Sequence, residues 1–139
     1  MRDLKLKQLE YESNTWKRLL IFMMDENIHL KNRLVEILKY ISDNNLLEEM
    51  ENFQTRFIKK DELISFLRDD VAELDTLRVR EIFEHGEFAK EIDRKLNKLR
   101  NNIINAEAEF SKLKIEFNNY LAFILNTSDW QKYLSNNAA

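Results

Sequence analysis

Between residues 92 and 124 the side chains Ile92, Leu96, Leu99, Ile103, Ala106, Phe110, Leu113, Phe117, Tyr120 and Ile124 succeed one another at intervals of four and three. That interval lays all of them along one stripe of an α-helix; a strand, whose side chains alternate between faces, could not bury them together. The stretch contains neither Pro nor Gly, so the spacing predicts one unbroken helix, roughly 50 Å long at about 1.5 Å per residue. A lone rod cannot bury such a stripe. Other helices, from this chain or a second copy, must supply the facing ridges.

Two further stretches repeat the interval. The first runs through Leu9, Ser13, Trp16, Leu20, Met23, Asn27, Leu30, Leu34, Ile37 and Ile41, with Ser13 and Asn27 as its polar members. The second runs through Leu46, Met50, Phe53, Phe57, Lys60, Ile64, Leu67, Val71 and Leu74, interrupted by Lys60. Between them lies Ser42-Asp43-Asn44-Asn45, whose short side chains compete for backbone hydrogen bonds, and Asn45 with Glu48 fits a capping box. Beyond Leu74 the interval would bury Arg78, Glu81 and His85, while the apolar residues on offer are Leu77, Ile82 and Phe83. A slipped or loosened register is expected there.

Gly86 follows at once, where a helix end needs a left-handed residue. A rival reading fuses 46–124 into one helix, since a lone Gly costs only about 1 kcal/mol in a helix interior. A turn at His85-Gly86 instead gives helices over about 4–41, 46–84 and 88–125, nearly equal in length as antiparallel neighbours require. Asn126-Thr127-Ser128-Asp129 closes the third, and Ser128 with Gln131 caps a short turn over 128–134 that carries Trp130, Tyr133 and Leu134 across one end. The expected fold is all-α, a single-domain, elongated antiparallel three-helix bundle with heptad, coiled-coil-like packing.

Composition narrows the function classes. Among 139 residues there is no Pro, no Cys and one Gly, which leaves no thiolate nucleophile, no thiolate metal site and little material for catalytic or phosphate-binding loops. The longest compact apolar run, Leu19 to Met24, falls between charged pairs and is far short of a membrane span. The start of the chain lacks the apolar core of a signal peptide, so an intracellular, cytoplasmic protein is expected. A net charge of −3 gives no reason to expect nucleic acid or a membrane surface as partner. Lys plus Arg against Asp plus Glu stands at 8 to 7 over residues 1–45, 6 to 11 over 46–86 and 7 to 6 over 87–127. An acidic middle helix between slightly basic neighbours suits a bundle.

Four features invite a functional reading. Ile21, Ile28 and Val35 recur at seven-residue spacing with Phe22 beside them, away from the main stripe; they predict an intermolecular contact, most simply a homodimer. The alternative is a rotated helix whose core-facing arc is merely wider. Asn27 and Lys60 come level when the first two helices fold together and would form a polar layer that fixes register. Against this, Lys60 could snorkel toward Asp25 or Glu26. Glu26 and His29 make a Glu-x-x-His pair, the half-motif that di-iron bundles use twice, but it occurs once here. Lys90, Arg94, Lys95, Lys98 and Arg100 form a basic run interleaved with Glu91 and Asp93, a pattern that favours pairing within the chain.

The stretches Trp16-Lys-Arg-Leu-Leu, Glu26-Asn-Ile-His-Leu-Lys-Asn-Arg-Leu, Phe53-Gln-Thr-Arg-Phe and Glu116-Phe-Asn-Asn-Tyr-Leu resemble a loose group of small, uncharacterised bacterial all-helical, coiled-coil-like proteins. The resemblance implies a helical fold and brings no activity, cofactor or catalytic residue. Spectrin-like repeats are similar in having three long helices. The expected function is therefore non-enzymatic, a structural or protein-interaction module that self-associates as a homodimer and meets a further protein partner. A small-ligand or metal-binding bundle is the alternative, with Glu26 and His29 as ligands or an apolar molecule seated where Ala106 leaves room.

Overall fold

The computed structural model describes residues 2–84 and 86–126. They form three helices, α1 (Arg2–Leu38), α2 (Asn44–Phe83) and α3 (Ala89–Leu125), packed as an all-α three-helix bundle. The turn reading prevails over the fused helix. His85 and the expected turn over 128–134, with Trp130, Tyr133 and Leu134, lie outside the described residues.

The ends differ from the expectation for identifiable reasons. The periodicity carried the first helix to Ile41, and Ile41 is indeed buried, but α1 stops at Leu38 and the chain tightens through a Tyr40 N–H to Ile37 C=O bond of 3.0 Å. A buried residue beyond a helix end extends the stripe without extending the helix. The cap of α2 is Asp43 and not Asn45: its Oδ1 accepts the N–H groups of Asn45 (2.8 Å) and Leu46 (3.1 Å), two donors that the first turn leaves unpaired. Gly86 has a φ of 91°, a conformation a Cβ disfavours.

Contacts divide the bundle into two compact units, through both of which each helix passes. One unit joins α1 as far as Met24 to Glu62–Ala108. Its core is Leu9, Trp16, Leu20 and Met23 against Ile64, Leu67, Val71, Leu74 and Leu77 of α2 and Ile92, Leu99 and Ile103 of α3. The other joins Asp25–Asp61 to the part of α3 that begins at Glu109. There Phe117 stands edge-on to Phe57 at 5.0 Å and to Phe53 at 5.3 Å, among Leu30, Leu34, Met50 and Leu113; edge-on aromatic pairs add about 1 kcal/mol beyond their buried area.

Within each unit α2 runs antiparallel to its neighbours. Glu10 meets Arg78 while Met24 meets Arg68 in the first; Arg56 meets Glu116 while Lys60 meets Glu109 in the second. A Cβ at Gly86 would find no atom within 4 Å, so Gly86→Ala meets only backbone strain. We expect a loss of about 1 kcal/mol in urea unfolding with an unchanged m-value.

Candidate functional site

Four of the sequence-derived residues lie on the outside of α1. Ile21 (44% exposed), Phe22 (58%), Ile28 (42%) and Val35 (47%) face solvent, while Asn27 and Leu34, one residue away, are buried. The helix is therefore not rotated to draw them into a wider core. Helices α2 and α3 also expose large apolar residues, among them Phe66 and Ile115, but not at successive heptad positions. In the first unit Ile21 and Leu20 edge a groove of about 440 Å³ whose far wall is Ser65, Arg68, Asp69 and Ala72.

The register residues are placed differently from the expectation. Asn27 is fully buried, and its Nδ2 donates to the Phe57 carbonyl (2.9 Å) and to Asp61 Oδ1 (2.6 Å). Both partners are acceptors, which fixes the orientation of the amide; Asn27 Oδ1 has no hydrogen-bond partner among the described residues. Lys31, one turn on, pairs with Asp61 as well. Lys60 does not join this layer. Its long stem carries the amine to Glu109 Oε2 on α3 (2.9 Å), and that hydrogen bond holds the Glu109 carboxyl below its ordinary value. Glu26 turns to Lys114 at 2.6 Å, so neither Asp25 nor Glu26 receives Lys60.

Sequence reasoning missed the acceptors. In the first unit Ser13 Oγ donates to Asp75 Oδ1 (2.7 Å), and Lys17, again one turn on, pairs with the same carboxylate. The two clamps are copies: a small polar residue in the α1 stripe, a Lys four residues later, and one α2 Asp that receives both. Their shared signal was a fourteen-residue spacing, Ser13 to Asn27 on α1 and Asp61 to Asp75 on α2.

Beyond Leu74 the interval loosens at one place, where Leu77 is buried and Arg78 is half-buried. Ile82 and Phe83 point outward, and Glu81 takes the inner position at 3% exposure. Its carboxylate accepts the N–H groups of Gly86 and Phe88 (2.8 Å for Phe88) and lies 3.7 Å from Arg2 Nε, while an Arg2 amine donates to its carbonyl. A buried carboxylate with this many donors closes the α2–α3 turn. Beside it opens a cleft of about 540 Å³, lined by Leu6, Leu9, Ile92 and Leu96 and edged by Arg2 and Arg100. Ala106, beside which the alternative reading seats an apolar molecule, is itself buried.

Of the Glu-x-x-His pair, Glu26 is engaged by Lys114 and His29 is exposed. Among the described residues no three His, Cys, Asp or Glu side chains gather as metal ligands would. From the basic run, Lys95 pairs with Glu73 (2.7 Å) and Arg100 grips Glu12 through two bonds of 2.8 and 2.5 Å. No helix among the described residues is long and apolar enough to cross a membrane. No protein-family model matches the chain, and no curated protein and no solved structure is significantly similar to it.

Two carboxylates give a pH signature. The Arg100 hydrogen bond outweighs burial and lowers Glu12 from its ordinary 4.5. Burial raises Asp75, but the hydrogen bonds from Lys17 and Ser13 and the charges of Lys17 and Arg78 overcome it and bring it below 3.8. A depressed folded-state value means that the stabilisation is complete above the unfolded-state value and is lost as pH falls through the folded one. Chemical denaturation should accordingly show stability flat near neutrality and falling below about pH 4.5, with a shallower fall in Asp75→Asn. Glu81→Ala, which strands two N–H groups, should cost about 2–4 kcal/mol in the same assay.

Proposed function

We propose that this chain is a non-enzymatic, cytoplasmic structural or interaction module that self-associates as a homodimer through α1. The observation that carries the reading is the apolar outer side of α1, at Ile21 and Phe22 in the first unit and at Ile28 and Val35 in the second, while its inner side is committed to the core. Apolar side chains repeated at heptad spacing gain roughly 25 cal/mol for each Å² withdrawn from water, and a second copy offers the same ridge in return. A further protein partner would compete for, or extend, the same face.

A small-ligand role is the second reading, and the cleft beside Glu81 favours it: its wall is apolar, with charged groups confined to the rim. The two readings separate in one native mass spectrum, because a binding bundle retains added mass and an interaction module does not. For the first reading, sedimentation velocity should show a dimer at micromolar concentration, and Ile28→Lys should return it to monomer. Because Ile28 is outside the core, its unfolding free energy should stay within about 0.5 kcal/mol of the parent. A monomeric parent chain at all accessible concentrations would overturn the proposal.

A further inference from the structure

The ridge on α1 is bordered by polar residues whose order is informative. Within the second unit Asp25, Ile28, Asn32, Val35 and Lys39 follow at intervals of three, four, three and four, and all five are exposed. At about 100° per residue they fall within an arc of about 80°. Lys39 is the first residue past Leu38, and its ion pair with Glu36 (3.0 Å, three residues back) keeps it in line with the helix. The side chains of Asp25 and Asn32 make no hydrogen bond or ion pair with the described residues. Read outward from Asn32, the strip is apolar then acidic in one direction and apolar then basic in the other.

Resting on the self-association reading, we propose that two copies of α1 pack antiparallel about a two-fold axis at Asn32. The axial distances match under this operation. Asp25 lies about 10.5 Å before Asn32 and Lys39 about 10.5 Å after it, so each Asp25 stands level with Lys39 of the second copy. Ile28, about 6 Å before, meets Val35 of the second copy, about 4.5 Å after. Asn32 meets itself, with an amide donor and acceptor on each side. Glu36, which holds Lys39 in the single chain, comes level with His29 of the second copy. Lys31, on the flank, is already held by Asp61 of its own chain, so the axis does not set two unpaired amines together. A parallel pair places Asp25 against Asp25 and Lys39 against Lys39, two like-charge contacts in place of two opposite ones. Charge order thus selects the antiparallel arrangement, with the central Asn pair fixing the register of the apolar contacts.

Cysteine cross-linking reads the orientation directly, because the chain has no Cys of its own. Asp25→Cys chains mixed with Lys39→Cys chains and oxidised should give a disulfide-linked dimer of mixed composition, and Asp25→Cys alone should give none. Asp25→Lys and Lys39→Asp should each weaken the dimer about tenfold, while the double variant recovers the parent affinity. All these positions are exposed, so circular dichroism should show unaltered helices. A parent dimer in which Asp25→Cys links to itself overturns the antiparallel assignment and leaves self-association standing. A parent dimer that persists in Ile28→Lys and gives neither cross-link overturns the assignment of this face. A parent chain that is monomeric overturns the self-association reading, and this inference with it.

Discussion

The paired carboxylate clamps, Asp75 holding Ser13 and Lys17, and Asp61 holding Asn27 and Lys31, set the alignment of α1 against α2 in their respective units. The apolar stripes cannot do this unaided. Sliding one stripe by seven residues exchanges Leu for Leu or Phe for Ile and costs little of the roughly 2 kcal/mol that each buried side chain supplies. The polar members respond differently to the same slide. Asn27 would come to Arg68 or Gln54 in place of Asp61, and Ser13 to Arg68 or Ile82 in place of Asp75. A stranded buried polar group costs about 1–3 kcal/mol, so two of them outweigh the indifference of the apolar seam. The clamps add little net stability but make one register much better than its neighbours.

Glu81 applies the same chemistry at the turn. A carboxylate in a position that the heptad reserves for Leu is costly unless its oxygens find donors, and here they find two backbone N–H groups, with the Arg2 charge nearby. The arrangement leaves Ile82 and Phe83 outside. It also places a carboxylate at the rim of the adjoining apolar cleft.

The stripes were legible because helical periodicity is a one-dimensional signal: the spacing that named Leu20, Phe57 or Phe117 as core needs no knowledge of what lies opposite. Asn27 was legible for the same reason, as a polar residue in an apolar series. Its partner was not, because Asp61 lies off the stripe and looks like any surface carboxylate until α1 is placed beside it. Lys60 drew attention by sitting in the series, yet a four-carbon stem lets the charge leave the layer that its Cα occupies. Glu81 was passed over because a rule that ranks residues by hydrophobicity prefers Ile82 and Phe83, and only the N–H groups of Gly86 and Phe88 reverse that ranking. The outward ridge on α1 was visible in sequence as a second period, whereas the cleft near Glu81 depends on how three separate segments meet.

The bonds from Glu81 also bear on the order in which the chain assembles. Its links to Gly86 and Phe88 span five and seven residues, whereas its contact with Arg2 spans 79 and the Glu12–Arg100 pair spans 88. Closing the short loop forfeits little chain entropy and joining the distant segments forfeits more, so the bonds that close the α2–α3 turn form at a lower entropic cost than those that seat the start of α1.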